Sequence, residues 1–138
     1  MERIEICYKI IILLLLLLWI PVALDKIINF ESFKAGILRQ PISETFQFLA
    51  IYTLPLAELI TAILLISKKI QKWGLVLSII LMAVFTGYVA FALIGTFGKI
   101  PCGCGSIFSA LNWQQHLWFN SIFLCLSALG LILKFRLR

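Results

Sequence analysis

Four long apolar runs alternate with short polar segments along the chain. The first, Ile10 to Leu24, is unbroken, and Arg3 and Lys9 precede it. A basic start and an apolar centre also describe a secretory leader. No small-x-small cleavage site follows, however, and Pro21-Val22-Ala23-Leu24 is a poor substitute. The pattern therefore predicts an uncleaved span over about 6–25, with Trp19 near a membrane interface. The polar stretch 25–45 comes next. In it Phe30, Phe33 and Ile37 recur at i, i+3, i+7, while Glu31, Lys34 and Arg39 point elsewhere. This predicts a short amphipathic helix near 29–40, either lying on the membrane surface or packed as a cap on the bundle end. Pro41 should end it. Ser43 is then placed to cap the next helix, with Glu44 in its first turn, where the helix dipole favours an anion.

The second span is predicted over about 45–66, followed by the basic turn Ser67-Lys68-Lys69-Ile70-Gln71-Lys72. The third, about 74–96, carries no charge. Residues 97–115 form the most irregular segment: Gly98, Pro101, Gly103 and Gly105 break any helix there. Ser109 to Trp113 can form one helical turn before the fourth span, about 116–134, which ends in Lys134, Arg136 and Arg138. Gly87 and Gly95 are small enough to admit close helix contacts, within the chain or between chains. No internal sequence repeat is visible. The expectation is an all-α integral membrane four-helix bundle, one domain over 1–138, with a short interfacial helix between spans one and two.

Composition removes the competing classes. Of 138 residues, 62% are hydrophobic and only 13% charged, and the mean hydropathy is +1.08. A soluble domain is roughly 45–50% apolar and about 25% charged. A soluble fold of this size could not hide so much apolar surface, and disorder requires the opposite bias. At about 20 apolar residues per span, the length admits four spans and no separate catalytic domain. The net charge of +6 suits basic loop ends facing an anionic leaflet. No basic cluster is interleaved with aromatics as a nucleic-acid groove requires, so the expected partner surface is the lipid bilayer and not nucleic acid.

Charge also predicts orientation. The N-terminus, the 67–73 turn and the C-terminus share one side and hold Arg3, Lys9, Lys68, Lys69, Lys72, Lys134, Arg136 and Arg138. The other side holds Lys26, Lys34, Arg39 and Lys99. Eight against four places both termini in the cytoplasm by the positive-inside rule. In a bacterial inner membrane the 97–115 loop would then face the oxidising periplasm.

That loop contains the sharpest chemical feature, Cys102-Gly103-Cys104. A spacing of one residue is too tight for a relaxed disulfide, although Gly103 and Gly105 ease the reversal of the chain. Strained disulfides are more easily reduced, which suits exchange rather than stapling. Three readings stand: thiol–disulfide exchange, a structural cystine, and a Cu(I) or Zn site using two thiolates and His116. Exchange fits the Gly/Pro loop on an oxidising face best, and no metal ligand set is assigned. Cys7 and Cys125 lie too far off to join the pair and read as small apolar packing residues.

Glu58 is the one ionisable residue well inside a predicted span, roughly 18–20 Å from its outer start and just past the midplane. A charge there costs about 2.5–3.5 kcal/mol on insertion scales, so it should face the bundle interior. Pro55, three residues earlier, removes a backbone donor. Glu58 reads as a proton acceptor or ligand anchor, or as a polar latch to Thr86, Tyr88 or a freed carbonyl. His116 opens the fourth span with Asn120 at i+4 on the same face. It can stabilise a thiolate on the loop side or serve as an interfacial anchor. Trp113, Trp118 and Phe119 read as an aromatic belt.

These motifs together resemble the MauE family, named for methylamine utilisation, within the wider DoxX-like membrane proteins. Pro55-x-x-Glu58 lies in the second span, Pro101-Cys102-Gly103-Cys104-Gly105 between the third and fourth, and Trp113-x-x-His116 with Asn120 opens the last. Lys26 after the first span also looks like the family's basic residue there. The resemblance covers nearly the whole chain. It implies a four-span protein supporting redox maturation of periplasmic proteins, originally the methylamine dehydrogenase small subunit. A thioredoxin-like periplasmic protein and a client would be the partners. It further implies Cys102 and Cys104 as the redox pair, Glu58 as the buried acid and His116 as a group beside the site. Ser106-Ile107 depart from the family's more usual aromatic, with Phe108 the nearest substitute. No cofactor motif is evident. By analogy with other four-helix membrane thiol oxidases, a quinone is the candidate electron acceptor, with Glu58 or His116 taking the protons.

Overall fold

The computed structural model describes residues 2–39, 43–93 and 113–137, all in helices or their immediate ends. The helices are α1 (Glu2–Ile28), α2 (Phe30–Leu38), α3 (Glu44–Ile66), α4 (Gln71–Leu93) and α5 (Trp113–Arg136). The fold is all-α, and among the described residues there is no strand. Four helices, all but α2, are long and apolar enough to cross a membrane. The chain is thus a multi-pass membrane protein. Cys102, Cys104, Gly95, Pro41 and the turn expected over 109–113, apart from Trp113 at the start of α5, lie outside the described residues.

Each span outruns its sequence prediction at one end or both, because polar residues at the ends complete helical turns. In α1, Lys9 pairs with Glu5 at i, i+4 (3.1 Å) ahead of the apolar run. At its other end Asn29 donates through its backbone to the Asp25 carbonyl at 2.8 Å and through its side chain to the Asp25 carboxylate at 2.9 Å. Lys26 therefore belongs to the last turn of α1, not to a loop. The chain breaks only at Asn29 (φ −105°, ψ 44°) before α2 begins. The N-cap of α3 is Ser43, whose hydroxyl accepts from the Phe46 amide at 3.5 Å, with Glu44 in the first turn, as the sequence predicts.

The four spans form a ring in which α1 and α4 each neighbour α3 and α5, so α1 faces α4 across one diagonal. The interior is filled by Leu15, Leu18 and Trp19 of α1, Ala62 and Leu65 of α3, and Leu75, Leu81 and Met82 of α4. Leu13, Leu17, Ile63, Val84 and Ile122 turn outward, where lipid replaces water as solvent. Trp19 is 0% exposed, so it is a core residue and not an interfacial one. Its ring fills the diagonal gap that smaller side chains would leave open. Phe119 likewise turns inward to stack near Phe123 (centroids 4.7 Å apart), whereas Trp118 is 71% exposed.

Close helix approach occurs at glycines other than Gly87, one of the two expected. A Cβ on Gly74 would stand 3.0 Å from the Leu65 backbone nitrogen, and one on Gly130 would stand 3.0 Å from Leu75 Cδ2. At Gly87 a Cβ would meet nothing within 4 Å. Of the two roles open to α2, its packing favours the cap. Phe33 and Ile37 bury against Ile51 of α3, and Gln47 of α3 donates to the Leu38 carbonyl at 3.2 Å.

Candidate functional site

Four helices converge on one ionic centre. Glu58 of α3 is 0% exposed and Lys26 of α1 only 3%. Lys26 Nζ donates to Glu58 Oε1 at 2.5 Å. The rings of Phe33 (α2) and Phe85 (α4) each lie with their centroid 5.6 Å from the same ammonium. Trp19 backs Phe85, the ring centroids 6.5 Å apart. A lysine in the last turn of a span can thread its apolar stem along the bundle and set its charge in either direction. Here it reaches inward, because only the carboxylate can compensate it at that depth.

The interior position expected for Glu58 is therefore observed, but its partner is neither Thr86, Tyr88 nor a freed carbonyl. It is Lys26, which the reading of the sequence counted among loop charges. The basic residues expected on that side fall to Lys34, Arg39 and Lys99. The signal was available: a lone acid inside a span requires a counter-ion, and Lys26 ends the neighbouring span within reach of its long side chain.

One carboxylate oxygen is left over. Glu58 Oε2 is buried and has no hydrogen-bond partner, and Thr86 Oγ1 on α4 is in the same condition. Elsewhere among the described residues the buried side-chain polar groups are closed. Trp19 Nε1 donates to Ser78 Oγ at 3.0 Å, Ser78 and Ser127 share a 2.7 Å bond, and Ser127 donates to the Phe123 carbonyl at 2.9 Å. A hydroxyl has a single proton, so Ser78 is the donor to Ser127 and the chain runs one way across α1, α4 and α5. At the other end of the bundle, Tyr8 donates to Gln71 Oε1 at 2.6 Å and Gln71 Nε2 donates to the Leu65 carbonyl at 2.8 Å. Gln71 thereby occupies a carbonyl that the end of α3 leaves free.

The remaining candidates are placed separately. His116 is half-buried in the first turn of α5, with Asn120, also half-buried, one turn on. α3 and α5 stand on opposite corners of the ring, so Glu58 and His116 belong to helices that do not neighbour each other. The Cys102–Cys104 segment lies outside the described residues; it joins the end of α4 to the start of α5. Cys7 and Cys125, expected as packing residues, are free and exposed on the outer faces of α1 and α5. Among the described residues no group of three or more His, Cys, Asp or Glu could hold a metal ion.

Comparison with known families returns one described as Methylamine utilisation protein MauE, matching residues 4–133. No curated protein and no solved structure matches the chain.

Proposed function

The chain belongs to the MauE family, and from that premise we propose that it is a membrane thiol–disulfide relay serving redox maturation of proteins outside the cytoplasm. Cys102 and Cys104 are its exchanging pair. Their disulfide is attacked by a thiolate of a periplasmic thioredoxin-like protein; the mixed disulfide resolves, the partner leaves oxidised, and Cys102 and Cys104 are left as thiols. The reverse sequence reduces the partner. The bilayer is a bacterial inner membrane and the cysteine loop faces the periplasm. The family's description supports a methylamine-utilisation setting.

One observation carries this reading. In a bundle whose surface is apolar, the Cys102-Gly103-Cys104 segment is the link between α4 and α5, and the helix it enters bears His116 in its first turn. An imidazole near the pair would favour thiolate over thiol.

Alkylation trapping in cells, with and without reductant, reads the state of the pair directly. The expected result is a disulfide that opens with reductant, and loss of client maturation in both Cys102→Ser and Cys104→Ser. Full maturation in both variants rules the relay out. Stoichiometric copper or zinc in the purified protein, lost in both variants, would instead establish a metal-binding scaffold or assembly factor.

A further inference from the structure

We propose that the Lys26–Glu58 pair is a proton-binding site, with Glu58 Oε2 the atom that takes the proton and Lys26 the residue that positions the carboxylate. The inference is independent of the thiol reading.

The geometry separates this pair from a structural latch. An ionised carboxylate offers acceptor sites on both oxygens, and burying one unmatched is unfavourable. A pair retained only to join α1 to α3 would close both oxygens, as the Trp19–Ser78–Ser127 chain and the Tyr8–Gln71 clasp close their own groups. Instead Oε1 receives the ammonium and Oε2 receives nothing. Lys26 offers three donors; Phe33 and Phe85 present ring faces to it rather than oxygens, and among the described residues its hydrogen-bond acceptor is Oε1. Proton uptake on Oε2 converts the carboxylate to a carboxylic acid without breaking or making any other bond.

Among the described residues the ion pair has two members. Lys26 is the charged group in contact with Glu58. Asp25 on α1, Glu31 and Lys34 on α2, Tyr88 on α4 and His116 on α5 are other titratable groups on the elements packed around the pair. The other charges of α4 and α5, Lys72, Lys134 and Arg136, belong to the opposite end of the bundle. Among the described residues the pair joins one acid and one base and leaves one carboxylate oxygen open, within a hydrocarbon-depth interior where protons have few other places to rest.

The test is pH-difference infrared spectroscopy on the full-length protein in phospholipid vesicles. A protonated-carboxyl carbonyl band is expected to grow as pH falls, and to do so equally in the Cys102→Ser/Cys104→Ser double variant. The band should vanish in Glu58→Gln, and in Lys26→Met it should no longer titrate over the wild-type range. Should Glu58→Gln fail to accumulate, Glu58→Asp makes the assignment by moving the band in frequency. A wild-type spectrum with no titrating carboxyl band overturns the proposal. So does a band that persists in Glu58→Gln or stays in place in Glu58→Asp. Because the thiols are absent from the double variant, a negative result here leaves the relay standing, and a failed relay leaves this result standing.

Discussion

Two polar networks cross the same apolar bundle, and they are built on opposite rules. The Trp19–Ser78–Ser127 chain is neutral, links α1, α4 and α5, and ends on the Phe123 carbonyl with each hydroxyl proton used once. The Lys26–Glu58 pair is charged, links α1 to α3, and leaves one oxygen open. A closed neutral chain holds helices in register and offers nothing to a ligand. An open ionic centre tolerates a larger desolvation penalty and keeps a reactive atom available. The contrast separates what the interior uses for architecture from what it keeps for chemistry.

The largest effect that could break this contrast comes from removing one charge. Lys26→Met should destabilise the bundle by about 3–5 kcal/mol, and Lys26→Met/Glu58→Leu should recover most of that loss. Denaturant unfolding in detergent micelles measures both; a double variant no more stable than the single one would show that the carboxylate does not depend on its counter-ion. Next in size, Ser78→Ala strands the Trp19 N–H and should cost about 1–3 kcal/mol while leaving thiol exchange at the wild-type rate. A fall in exchange with stability intact would move the serine chain from architecture to chemistry. A double-mutant cycle over Trp19→Phe and Ser78→Ala sharpens the comparison further. Its coupling should be about 0.6 kcal/mol and under about 1.7, the range for interhelical hydrogen bonds in membranes, well below the ionic pair. The two glycines form a matched control that ends in the smallest effect. Gly74→Ala forces a Cβ onto the Leu65 backbone and should cost about 1–3 kcal/mol, whereas Gly87→Ala meets open space and should be neutral or stabilise by up to about 1 kcal/mol.

The four spans were legible because apolar length is a direct physical demand of the bilayer. Their ends were not, since Gln71 begins α4 by reaching back to the Leu65 carbonyl, a bond between side chain and neighbouring helix that no hydropathy window reports. The inward direction of Glu58 followed from its cost in lipid. Its partner did not, because Lys26 looked like the first residue of a loop until α1 was seen to run on to Ile28. Trp19 misled for a similar reason: tryptophan favours interfaces in general, but here Ser78, fifty-nine residues away, supplies the acceptor that lets the indole sit in the core. The i, i+3, i+7 pattern of α2 correctly announced an apolar face and was silent on whether lipid or Ile51 would cover it.

The order of the ionic pair along the chain bears on how the protein is made. Lys26 precedes Glu58 by thirty-two residues. During synthesis the first hydrophobic hairpin arm is therefore already lodged in the bilayer, ammonium included, when the acid-bearing arm arrives. An acidic span inserting alone would carry its full transfer penalty into lipid; this one meets its neutralising partner on entry. Exchanging the two residues, Lys26→Glu with Glu58→Lys, would preserve the final pair and reverse that sequence, separating the energetics of biogenesis from those of the finished bundle.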